Sequence, residues 1–75
     1  MIKPVVHYKG TPQFYLWPYP DENGKDITVG KVPFVMDHPR LGRCYDVRTS
    51  DIVTPIDSEG RFETLYTIYE PYQNS

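Results

Sequence analysis

The chain reads as an all-β domain: a small curled sheet or barrel of about five strands, SH3-like or OB-like in kind. Three observations predict this. Composition comes first, with no alanine and three leucines set against seven tyrosines, three phenylalanines and one tryptophan. Aromatic and β-branched side chains fit a pleated, half-buried surface. Next, eight prolines are scattered along 75 residues, leaving little room for a helix of ordinary length. Last, residues 43–69 place two β-rich arms around Asp57-Ser58-Glu59-Gly60, with glycine where a turn or bulge wants positive φ.

Taken in order, residues 2–8 form a first strand, with Pro4 near its start, where an edge tolerates the missing N–H. Lys9-Gly10-Thr11-Pro12 breaks it. Residues 13–17 make a short aromatic strand, and residues 21–26 form a loop around an Asn-Gly turn. A long segment follows at residues 27–36, where Gly30 and Pro33 predict a bulge, a bend or an edge position. Residues 37–43 read as a loop, residues 44–56 as a fourth strand and residues 61–69 as a fifth. In the fifth, Phe62, Thr64, Tyr66 and Ile68 share one face. The chain is one domain, residues 1–75, with residues 70–75 as a flexible tail.

A domain of this length buries only about 60% of the surface its unfolded chain exposes, so its stability is slim. A single cysteine, Cys44, allows no internal disulfide and points to a reducing compartment. No apolar run approaches the roughly 18 residues that cross a bilayer. The first ten residues lack the apolar core of a signal peptide. A soluble, cytoplasmic protein is expected. The net charge of −2 argues against a protein that grips nucleic acid through its phosphates, and is too small for a DNA mimic.

Two groups of residues are candidates for binding. Arg40, Arg43 and Arg48 fall within nine residues and flank Tyr45 and the Thr49-Ser50 pair. Guanidinium forks beside hydroxyls and an aromatic ring suit a phosphate-bearing ligand. The plainer reading, and the favoured one, is a solvated loop with Arg48 paired across strands to Glu63. Thr49 and Ser50 are likewise better read as backbone-bonding hydroxyls. The second group is Tyr15, Trp17 and Tyr19. They suit a protein interface or base stacking, although Trp17 is equally fit to be the main core residue. His7, His38 and Cys44 lack metal-ligand spacing. No cofactor, metal site or catalytic constellation is expected, and hence no enzyme.

The run His38-Pro39-Arg40-Leu41-Gly42, then Val47-Arg48-Thr49-Ser50, Ile52-Val53, Ile56-Asp57, Gly60, Glu63-Thr64 and Tyr69 carries a resemblance. It resembles the C-terminal half of short uncharacterised proteins of tailed phages and prophages, and departs from them at Tyr66, where asparagine is common. The resemblance implies a phage origin and a host cell's cytoplasm. It also implies, by analogy, a non-enzymatic protein that antagonises a host component, such as one of antiviral defence, by direct binding. Two alternatives stand beside it. One is a homo-oligomer sequestering a nucleotide-type signal between subunits, because a 75-residue barrel needs its interior for its own core. The other is a single-stranded nucleic-acid binder on a small barrel, which the net charge makes the weakest.

Overall fold

Among the described residues seven strands form: β1 (Val5–Lys9), β2 (Gln13–Leu16), β3 (Thr28–His38), β4 (Gly42–Arg48), β5 (Ile52–Thr54), β6 (Phe62–Thr64) and β7 (Ile68–Pro71). The computed structural model describes residues 2–72, and no helix occurs among them. The strands make one sheet in the order β2-β3-β1-β7-β6-β5, with β4 paired to β3. Only β1 and β7 run parallel; the sheet curls into a half-barrel. The all-β expectation holds, with seven strands among the described residues where about five were expected.

β3 is the spine. Its first part pairs with β2 through Gln13↔Lys31 to Leu16↔Thr28, and its later part with β1 through Tyr8↔Val35 and Lys9↔Phe34. β4 runs along the opposite edge, from Lys31↔Arg48 to His38↔Gly42. Pro33 sits at the break between β1 and β2, as its missing N–H requires. Gly10 faces it with φ +87°, and a Cβ there would lie 2.9 Å from the Pro33 ring. On the β4 side the residue opposite is Asp46, held at φ 53°. Val32 and Val35 are both fully buried, three residues apart where a flat strand alternates every two. The predicted bend at Pro33 is therefore real, and it switches which face each side chain takes.

Two expected strands are each divided. Residues 44–56 split at Thr49, whose N–H bonds Gly30 O at 2.9 Å and whose hydroxyl accepts from Gly30 N at 2.8 Å. Residues 61–69 split at a tight hairpin. Thr64 N bonds Thr67 O at 2.8 Å, and the Thr64 hydroxyl accepts from Tyr66 N at 3.3 Å and Thr67 N at 3.1 Å. Neither Leu65 nor Tyr66 has positive φ, so this is not the mirror-image turn that Asn-Gly marks. The fold-back replaces Ile68 by Tyr69 on the core face, and Tyr66 is exposed. Glu70 and Pro71, expected in a frayed tail, pair with His7 and Tyr8. Gln73, Asn74 and Ser75 lie outside the described residues.

Two loops share one construction. Asp21-Glu22-Asn23-Gly24-Lys25 and Asp57-Ser58-Glu59-Gly60-Arg61 each open with an aspartate and carry glycine at positive φ in fourth place. Asp21 Oδ1 accepts from Asn23 N and Lys25 N, both at 2.9 Å. Asp57 Oδ1 accepts from Glu59 N at 2.9 Å and Arg61 N at 3.0 Å. The short acceptor of aspartate satisfies backbone donors that the turn leaves unpaired.

The core lies on the concave face and centres on Phe62. Tyr69 stacks on it at 4.8 Å, Phe14 meets it edge-on at 5.0 Å and Tyr8 tilts against it at 5.7 Å. Val6, Val32 and Val35 complete the buried set, with Cys44, Val47 and Ile52 packed partly against it. Burial, helped by the Asp57 carboxylate, pushes the Tyr8 phenol up, so it stays a neutral donor to Gly60 O at 2.5 Å. Phe62→Ala should cost about 3–5 kcal/mol. Against a total of about 5–15 kcal/mol for domains generally, urea titration should show most of the cooperative transition lost.

Candidate functional site on the outer face

Alternation along β2 sends Phe14 into the core, so Gln13 and Tyr15 project to the convex face. The register sets Gln13, Lys31 and Arg48 in one cross-strand row and Tyr15 and Val29 in the next. Trp17 N bonds Ile27 O at 2.8 Å and adds a third row. Tyr15, Trp17, Ile27 and Val29 thereby line a groove of about 310 Å³ with Arg48, Thr49, Ser50 and Asp51. Tyr15 and Trp17 are 39% and 40% exposed, and Tyr19, at 69%, meets the Trp17 ring at 6.4 Å. Trp17 is outside the core cluster.

The fold brings together residues from both candidate groups and separates others. Arg48 joins the aromatic pair. Arg40 lies instead in the β3–β4 turn, where His38 Nδ1 accepts from Arg40 N and Leu41 N, both at 3.2 Å. Arg43 lines a separate trough with Lys9, Gly10, Pro33, Phe34 and Met36. Tyr45 is 73% exposed and packs edgewise on Phe34 at 4.7 Å. The Thr49 hydroxyl donates to Ser50 O at 2.9 Å and is held by the backbone, as the plainer reading anticipated.

The expected Arg48–Glu63 pair does not form. Glu63 takes Lys3 Nζ at 2.5 Å, because β6 lies beside β7 and β5, far along the sheet order from β4. Arg48 faces Lys31 directly, a like-charge pair across strands that works against stability. Among the described residues neither cation has a carboxylate within ion-pair distance.

A polar cluster with no sequence motif sits at the other end of the convex face. His7 Nδ1 lies 2.6 Å from Asp37 Oδ2, and His7 N donates to Asp37 Oδ1 at 2.6 Å. His7 Nε2 is 3.8 Å from Glu70, which also pairs with Arg61 Nε at 3.1 Å. Partial burial pushes the Asp37 carboxyl up, but hydrogen bonds and charge from His7 outweigh it, and the net shift is downward. The cluster joins β1, the end of β3, β7 and the Asp57 loop. The only signal for it was the alternation that turns Val6 and Tyr8 inward and His7 outward. No group of three His, Cys, Asp or Glu that suits a metal ion occurs among the described residues. Nor is any helix there long and apolar enough to cross a membrane.

Compared with known proteins, the chain matches no family model, no curated protein sequence and no solved structure.

A carboxyl held below its unfolded value contributes stability that is full above the ordinary range near about 4 and vanishes as pH falls through the folded value. Asp37→Asn should therefore lower the urea midpoint at pH 7, and the gap to the wild type should close as the pH is taken below about 4.

Proposed function

We propose that this chain is a phage-type, non-enzymatic binding protein that antagonises a host protein by direct contact, with a component of antiviral defence as the class of target. What supports the reading is the gathering of Tyr15, Trp17 and Arg48 on one groove of the convex face. Trp, Tyr and Arg are the residue types in which binding energy concentrates at protein interfaces. Here Tyr15 and Arg48 stand on paired strands and Trp17 directly follows β2, tied by its N–H to Ile27 O, so little conformational freedom is lost when a partner covers them. Tyr19 extends the aromatic surface beyond the groove. Phage origin rests on the sequence resemblance; the contact surface rests on the geometry.

A second reading is favoured by one detail. Arg48 and Ser50 stand beside the Tyr15 and Trp17 rings, the pairing of anion donor and stacking surface that a nucleotide-type ligand uses. At about 310 Å³ the groove is at the lower limit for a ligand pocket. A second subunit would have to cover it, as in a homo-oligomer that sequesters such a signal.

The two readings separate experimentally. The immobilised protein should retain a discrete host protein from bacterial lysate. Replacing Tyr15 and Trp17 together by alanine should remove it while the urea midpoint stays near the wild-type value. Arg48→Glu should remove it without lowering the midpoint, since glutamate opposite Lys31 replaces repulsion by attraction. Retention unchanged in both variants would overturn the protein-binding assignment. A monomer-to-dimer shift in gel filtration on adding a nucleotide, with no protein retained, would establish the second reading instead.

A further inference from the structure

The convex face treats its charges unevenly. At the His7 end, Asp37 and Glu70 have cationic or imidazole partners. Between β1 and β4 there is a trough of about 500 Å³ floored by Pro33, Phe34 and Met36, with Lys9 on one bank and Arg43 on the other. No acidic residue lines it. Among the described residues neither Lys9 nor Arg43 is in an ion pair; Lys9 lies over the Tyr72 ring, 4.9 Å from its centre. Tyr45 packs edgewise on Phe34 and extends the aromatic surface of the floor. Opposite Pro33 the pairing of β3 passes from β2 to β1, and the floor is formed by the Pro33, Phe34 and Met36 side chains.

We propose that this trough receives an extended acidic segment of the partner protein, in which one large apolar side chain lies on Pro33, Phe34 and Met36 and a carboxylate on each side meets Lys9 and Arg43. The inference rests on the protein-binding reading above and names the chemistry of the partner. Dimensions support it. β1 and β4 flank β3, and Arg43 lies two residues along β4 from Tyr45, which shares the row of Lys9 and Phe34, so the cations spring from backbones about 12 Å apart. Residues i, i+2 and i+4 of an extended chain face the same way and span about 13 Å. A glutamate-x-phenylalanine-x-glutamate spacing therefore sets all three side chains downward, within reach of the long Lys9 and Arg43 stems. The trough is an open depression rather than an enclosed cavity, which suits a polypeptide segment crossing it better than a small molecule, whose sites enclose most of its surface.

The probe is a capped peptide, serine-glutamate-serine-phenylalanine-serine-glutamate-serine, titrated into the isotopically labelled protein and followed by amide NMR. Its lysine-for-glutamate counterpart is the control. Shifts should concentrate at Lys9, Phe34, Met36, Arg43 and Tyr45, with affinity falling at least tenfold in Lys9→Gln/Arg43→Gln and weakening with added salt. The amide spectrum reports directly that this variant remains folded. No shifts at the trough, or equal binding of the lysine peptide, would overturn the proposal. If that happened while a host protein was still lost from Tyr15→Ala/Trp17→Ala, protein binding would stand and the acidic-segment assignment alone would fall.

Discussion

Phe62 is the contact on which the rest of the molecule depends. One ring is met by Tyr8 from β1, Phe14 from β2 and Tyr69 from β7, so a residue of a three-residue strand ties both halves of the sheet order together. Aromatic pairs contribute about 0.5–1.5 kcal/mol beyond the area they bury, and a domain this small has few other large side chains to draw on. The sheet has to curl for these rings to converge. Curling fills the concave side and leaves the convex side as the surface available for recognition.

That surface explains how a chain with net charge −2 presents cationic ground. Asp37, Glu63 and Glu70 are engaged by His7, Lys3 and Arg61. Lys9, Arg43 and Arg48, carried on β1 and β4, face outward beside aromatic rings. Net charge describes the whole chain, whereas a partner meets one side of it. A net charge of −2 therefore says less about this face than about the molecule as a whole.

The all-β class, the breaks at Gly10 and Gly60 and the bend at Pro33 were legible because glycine and proline act locally: one permits positive φ and the other removes a donor. The divisions at Thr49 and Thr64 were not. Threonine reads as a strand former, and its hydroxyl ends a strand only where a particular backbone N–H comes within reach, which depends on tertiary structure. The same limit applied to the sites. Tyr15 and Trp17 could be put on one face from alternation alone, but their meeting with Arg48 depends on the β2–β3–β4 register. The arginines looked clustered because they are close in sequence; the turn at His38 and the bend opposite Pro33 send them to different places. His7, Asp37, Arg61 and Glu70 are spread over 64 residues of chain, and no spacing rule links them.

The left-handed backbone at Asp46 has a consequence for how copies of the molecule behave toward one another. Among the described residues β4 is paired on one side only, and a regular outer edge seven residues long would be a template for strand-by-strand accretion into fibrils. A residue at φ 53° in its middle turns the local peptide groups out of line, and the guanidinium groups of Arg43 and Arg48 on either side repel an identical ribbon. The distortion that accommodates a proline on the neighbouring strand thereby also removes a template for edge-to-edge pairing from a tyrosine-rich, alanine-free chain.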